Sequence, residues 1–537
     1  MSNFGRPHRH HAAHPQATIK ADSSKKQGFN NLLHAQRRMV RRLLLQTAIA
    51  LTTVASALAS DVPDVATLRE RIATAVGPSP AAYSQTIHYS SAAATGVRHI
   101  VRRGSDERVV NETPEMQTEY GVLHAQRWHR NENGHTVLEQ PDRIDADRVP
   151  FTSTVAAVNN ALVIKTAYRS GRRTQEFVDP VTFLPSRTVS TGPLGTTTIE
   201  YSDYRVYGKR HLATRTVVRD ESTRLTTTSE LVDDLESDPG DAAFAIPASR
   251  NNLRFPSGVS TLALPVKMAP NGHWFVRVTI GGRGLDFLLD TGAPGIFIDP
   301  GTADELGLPI FNRQQNNANG GAFTAGSVRV PEMHVGDLTL ADTIVGIAPV
   351  AGNELGNVKT VGLLGFDFLF DALFTLDYAH KSIAATVTTE NDGAIGAKTI
   401  PIRLNQQIPY LTATVNGVTT DRMAFDTGSI GSMLFNDAFV TRHPEAFPAR
   451  DRNGPRLTLL GVGGTFEVER YTIGHLLLGT TDFTGFEAFR VASSSVFSGP
   501  LDGFIGPDFF RLFTVGLDYP HGRIQLTPNA DGDRARR

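Results

Sequence analysis

The chain has 537 residues, too many for one ordinary domain, and carries 53 Lys and Arg against 54 Asp and Glu. That balance removes any electrostatic reason to expect nucleic acid or an anionic membrane as partner. A 40% hydrophobic and 20% charged content fits a soluble globular chain, and the absence of cysteine excludes disulfides, zinc-thiolate sites and a thiol nucleophile.

Residues 1–38 are polar and include His8, His10, His11 and His14. Metal binding is the functional reading of that cluster, but the composition around it favours a disordered tail. From Met39, two arginines (Arg41, Arg42) precede an apolar run over 43–54 and the small-x-small triplet Ala57-Leu58-Ala59. This is the layout of a secretory signal peptide over 39–59, and Met39 is an alternative initiator. The run is short for a membrane span, and no later segment is long and apolar enough to be one. The expectation is an exported protein, periplasmic or secreted, either cleaved or tethered by this segment.

Residues 60–245 read as an α+β domain. "DVATLRERIATAVG" places Val65, Leu68, Ile72 and Val76 near helical spacing. After Tyr83, short alternating runs separated by Gly, Pro and Asp turns predict a curved antiparallel sheet. The "FVDPVTFLPSR" hairpin and the helix-then-sheet order resemble the periplasmic lipoprotein carriers, which implies a sheet that binds something apolar or serves as a spacer. "IPASRNNLRFPSGVS" has linker composition, setting a linker at 246–262.

The remainder repeats itself. "LPVKM" at 264–268 matches "IPIRL" at 400–404, and "GLLGFDFLFDALFTLDY" at 362–378 matches "GFIGPDFFRLFTVGLDY" at 503–519. Each copy carries one Asp-Thr-Gly, at Asp290 and Asp426, 24 positions after Val266 and Ile402 respectively. An isolated Asp-Thr-Gly is an ordinary strand-to-turn sequence. Coincident turns would not also reproduce the preceding strands and the later glycine motif.

Two carboxyl groups close enough to share a proton can hydrolyse an amide. The ionised one takes a proton from a water between them, and the protonated one supports the carbonyl oxygen. Like charges at that distance cannot both ionise, so the titration belongs to the pair. On this reading Asp290 and Asp426 are the acids. Thr291 and Thr427 point their hydroxyls at the opposite half, and Gly292 and Gly428 let the loops approach. Ser429 stands where the first copy has Ala293; its hydroxyl is expected to favour the charged form of Asp426, leaving Asp290 as proton holder.

With these motifs in hand, 263 to about 527 resembles the retropepsin-like and pepsin-like aspartic peptidases, in particular bacterial exported proteins with two retropepsin-like units in tandem. The resemblance implies a mainly β fold. Two β-barrel lobes, 263–395 and 396–530, would be related by a pseudo-two-fold, with a disordered tail at 531–537. Leu364-Gly365 and Ile505-Gly506 would thread under the acid loops. Flap candidates are Gly320, Gly321 and Phe323 in one copy and Gly463, Gly464 and Phe466 in the other; neither has a tip tyrosine. The implied activity is an aspartic endopeptidase acting on polypeptide, with no cofactor and no metal, monomeric through intramolecular pairing of its lobes. Pairing with a second molecule is one alternative. The other is a non-catalytic cell-envelope binding protein that uses its N-terminal sheet, with the protease lobes as scaffold. His273, His334 and His475 are expected at strand edges or the surface, Asp377 and Asp518 in turns, and Asp367 and Asp508 as caps of short helices.

Overall fold

A computed structural model describes residues 62–535 apart from 140–149, 170, 193–194, 319–320, 351–353, 356–357, 389–398, 448–455, 462–463 and 492–500. The polar tail, the signal segment and the flap residues Gly320 and Gly463 lie outside the described residues. Two compact units are distinguished: 1–63 with 157–160, and 64–156 with 161–537. In the first, Asn159 and Asn160 both take left-handed backbone, φ 45° and 65°, as a two-residue hairpin turn requires.

The second unit opens with the helix Val65–Val76. Asp64 caps it by accepting the Thr67 N–H at 2.8 Å, and Gly77, at φ 90°, ends it. Thirteen strands between Ala82 and Leu235 then form one antiparallel sheet among the described residues. Consecutive strands are neighbours apart from the sixth and seventh, and the first (Ala82–Ser90) also pairs with the thirteenth (Leu225–Leu235). The sixth (Thr136–Glu139) and seventh (Pro150–Val158) are therefore the edges. Leu68 of the helix packs on Leu162, Ile164 and Val178 at one end of this sheet.

Four further sheets follow among the described residues, the smallest being the pair Glu354–Leu355 and Val358–Lys359. One of nine strands holds Trp274–Ile280 and Arg283–Leu289, and one of eight holds Ile408–Val415 and Val418–Phe425. Trp274–Ile280 is buried nearly throughout, as an apolar run covered on both faces should be. A six-stranded sheet joins the two copies: Leu373–Asp377 pairs antiparallel with Phe513–Asp518. Within the stretch 246–262, Leu253–Arg254 pairs with Leu338–Ile347 and Thr261–Ala263 with Ser382–Thr386. One apolar cluster runs from Val137 of the N-terminal sheet through Leu253 and Trp274 to Phe425 and Tyr519. The fold is mainly β, as expected. Among the described residues no helix is long and apolar enough to cross a membrane.

Candidate active site

Each acid sits at the end of a buried strand because a second strand is inserted beside it. Gly362–Leu364 lies parallel to Arg283–Leu289, pairing Leu289 with Leu364, and the Leu364 carbonyl accepts the Asp290 N–H at 2.9 Å. Gly503–Ile505 does the same beside Val418–Phe425, and the Ile505 carbonyl accepts the Asp426 N–H at 3.0 Å. Gly365 and Gly506 then tuck beneath the turns: Gly365 N donates to Gly295 O and Gly506 N to Ser432 O. A side chain on Gly365 would come within 2.3 Å of the Ala293 carbonyl, so only glycine passes there.

The two loops meet through their threonines. Thr291 N donates to Thr427 Oγ1 at 3.1 Å and Thr427 N to Thr291 Oγ1 at 3.0 Å. Each hydroxyl then donates across the interface, Thr291 to the Phe425 carbonyl at 2.7 Å and Thr427 to the Leu289 carbonyl at 2.8 Å. The four bonds fix the separation of the loops. Gly292 N donates to Asp290 Oδ1 and Gly428 N to Asp426 Oδ1, both at 2.9 Å, which anchors one oxygen of each carboxyl. A methyl group on Gly292 would lie 2.6 Å from Asp426 Cγ, and one on Gly428 2.4 Å from Asp290 Cγ. Each carboxyl therefore rests against the glycine of the other loop.

Burial raises both carboxyl pKa values. For Asp426 the charge of Asp290 and a hydrogen bond to it push in the same direction, and Asp426 stands well above the usual range. A pair sharing one proton behaves this way. Beside the pair, Ser429 N donates to the Asp426 carbonyl oxygen at 3.4 Å, and the Ser429 backbone acts to lower the Asp426 carboxyl against the larger upward push of burial.

His273 corrects a second expectation. It is fully buried rather than at an edge, and Nε2 donates to the Ser429 carbonyl at 2.7 Å. Burial lowers its pKa, favouring the neutral ring, and Nδ1 is buried without a partner. It thus ties the start of Trp274–Ile280, the strand paired with the one that leads to Asp290, to the loop of Asp426. The repeat gave a signal: Pro409 stands opposite it. His334 is half-buried and His475 exposed, beside Glu332 and Asp482, and both lie on strands paired on either side rather than at sheet edges. Asp377 and Asp518 hold turns through His380 and His521. Asp367 is not a cap. It is buried, and Asn131 and His135 from the N-terminal sheet both donate to it.

Gly321 and Gly464 open the long strands Gly321–Val335 and Gly464–Leu478. Phe323 packs on the cluster containing Ala293 and Leu363, and Phe466 on that containing Ala424 and Phe504. Both aromatics thus face the apolar clusters that flank the acid loops.

Residues 276–368 match the family model of aspartyl proteases. The match takes in Asp290, Leu364 and Gly365, and ends before the second copy. No curated protein matches the chain. Among solved structures, a LolA-superfamily protein from Nitrosomonas europaea is 11% identical, with TM-score 0.28 over 34% of this chain and 98% of that one. A DUF1329-family protein from Desulfovibrio piger is 11% identical, with TM-score 0.28 over 33% and 95%. A domain from Vibrio parahaemolyticus described as an outer membrane lipoprotein-sorting protein is 10% identical, with TM-score 0.27 over 33% and 93%. The expectation that the chain as a whole is an endopeptidase is corrected accordingly. The protease match covers residues 276–368, one copy only, and the similar solved structures are described as LolA-superfamily or lipoprotein-sorting proteins rather than as proteases.

Proposed function

We propose that this chain is a cell-envelope binding protein whose N-terminal sheet takes up an apolar ligand. The observation that carries this is a face left half open. Register places Ile164, Glu176, Thr188, Ile199, Val218 and Thr227 side by side across six strands, so they share one face. The helix covers that face at Ile164, and Arg69 pairs with Glu176 at 2.7 Å. Beyond the helix the same face continues as Ile199, Val218 and the opposed pair Ile87 and Leu231, all only half-buried. An antiparallel sheet normally packs one face on a core. Here an apolar ligand would complete the layer. Titration of the full chain with an environment-sensitive naphthylamine probe tests this. Saturable binding, weakened roughly tenfold or more in Val218→Glu, is expected; no saturable binding by folded protein overturns it.

One specific observation favours a second activity in the same chain. The mutual seating of Asp290 and Asp426 suits an aspartic-type hydrolase, both acids coming from one molecule. We read the two sheets as duplicated lobes because the inserted strands Gly362–Leu364 and Gly503–Ile505 repeat the same parallel and antiparallel pairings. The free oxygens of the pair would hold a water, one carboxylate removing its proton while the protonated partner donates to the oxygen of the bond under attack. A panel of amide and ester substrates at acid pH tests it. Turnover should fall a hundredfold or more, roughly, in Asp290→Asn. Inactivity of the folded protein on the whole panel removes the reading.

A further inference from the structure

The repeat breaks its own pattern beside the first acid loop. Phe370-Asp371 in the first copy stand opposite Arg511-Leu512 in the second. In the second copy Asp508 is half-buried and satisfied locally by Arg511 at 2.9 Å. In the first copy that arginine is missing and there are two buried carboxyl groups, Asp367 and Asp371. Their cation comes from elsewhere. His135, on the turn leading into an edge strand of the N-terminal sheet, is fully buried with Nδ1 2.8 Å from Asp367 Oδ1 and Nε2 3.2 Å from Asp371 Oδ2. The ring also lies against Phe366 and Phe370, with centroids 5.7 and 5.1 Å away.

The neighbours of the ring are arranged to keep it there. Asn131 Nδ2 donates to Asp367 Oδ1 at 2.7 Å, and the Asn252 N–H donates to Asp371 Oδ2 at 2.7 Å. Asn133 makes two bonds to the Ile344 backbone, at 2.7 and 3.0 Å. Glu132, on the same turn, also faces the cluster, and burial together with the charge of Asp367 pushes its carboxyl up to about 7. Burial works against an imidazolium here, but the two carboxylates outweigh it and raise its pKa to about 9. The other side of Asp367 touches the acid loop. A methyl group on Gly295 would lie 3.0 Å from Asp367 Oδ2, and the two residues before Asp367 donate their N–H groups to Gly295 O and Ala293 O.

We propose that His135 is a positioning residue for the first acid loop: held between Asp367 and Asp371, it seats Asp367 under Gly295 and so links the N-terminal sheet to Asp290. The inference rests on the paired-acid reading of Asp290 and Asp426, and its test needs no turnover. Full-length protein with aspartate 13C-labelled at Cγ is titrated by NMR as wild type, His135→Gln, Asn131→Ala and His475→Gln. In His135→Gln the apparent pKa values of the Asp290/Asp426 pair should move by about half a unit or more. Asn131→Ala, which removes one donor to Asp367 and keeps the ring, should move them less. His475→Gln, the same exchange at an exposed position, should leave them in place. A purely structural His135 would lower the melting temperature of folded protein without moving this titration. Superimposable dyad curves in wild type and His135→Gln, with the Asp367 resonance displaced, overturn the proposal; should that variant not fold, unmoved curves in Asn131→Ala do so. A dyad that answers to His135 yet hydrolyses nothing sinks the hydrolase reading and leaves this one standing, and a hydrolysing dyad indifferent to His135 does the reverse.

Discussion

Thr291 and Thr427 each serve as donor and acceptor in one small cross-link, so neither hydroxyl can be removed singly at low cost. Thr291→Val would leave the Thr427 N–H and the Phe425 carbonyl buried without partners. Each such group costs about 1–3 kcal/mol. We expect Thr291→Val to destabilise the C-terminal half by about 2–5 kcal/mol in urea titrations followed by tryptophan fluorescence; a loss within error would mean that water replaces the threonine. The acids themselves act in the opposite direction. Their folded pKa values are raised, so the native state binds more protons than the unfolded chain, and stability falls as pH rises from the unfolded value through the folded one. Asp426→Asn removes that penalty. It should raise the melting temperature at pH 7, with the gain disappearing near pH 3–4. A gain that does not change with pH would show that the penalty is not one of ionisation.

At the level of elements, the repeat was legible because both copies obey the same local rule. An apolar strand must end at the acid, and a second short apolar strand ending in glycine must lie beside it. Leu364-Gly365 and Ile505-Gly506 satisfy this by backbone pairing, which depends on apolar character and on the missing side chain. The docking of the N-terminal turn was not legible. His135 and Asp367 are separated by 232 positions, and "NENGHT" reads only as a polar turn. What marks the contact is a departure from the repeat, Asp371 in place of Leu512, and its meaning appears only once His135 is seen against it. The same holds for His273. Its burial follows from the Ser429 carbonyl of the opposite loop, which no pattern within its own strand reveals. The His135 contact also sets a pH dependence. Its folded pKa is raised to about 9, so its contribution is complete below the unfolded value near 6.5 and is lost as pH rises through about 9. That shift is equivalent to about 3 kcal/mol. The wild-type melting temperature should therefore fall between pH 7 and 10, with a flatter profile in His135→Gln; parallel profiles would contradict the assignment.

The molecule as a whole joins an open sheet to a paired-acid core without an apolar gap between them. Val137 belongs to the same cluster as Leu253, Trp274 and Tyr519, and the Asn133 and His135 bonds lie beside it. The contact is also polar: separating the N-terminal sheet from the first copy would take from Asp367 and Asp371 the donors they have in Asn131 and His135. Two domains joined only by a tether would melt in two steps, each at its own temperature. The shared cluster predicts otherwise: calorimetry of the full chain at pH 7 should give one cooperative transition spanning the N-terminal sheet and the first copy of the repeat. Val137→Asp should split it, because the new carboxyl enters the cluster without a partner while leaving each sheet's own hydrogen bonds in place. An apolar ligand bound to the open face should then raise the single transition of the wild type, by an amount that grows with the logarithm of ligand concentration. In Val137→Asp it should raise only the N-terminal step. If the wild type already melts in two steps, or if ligand moves both steps of Val137→Asp equally, the sheet and the acid pair are not coupled through this contact.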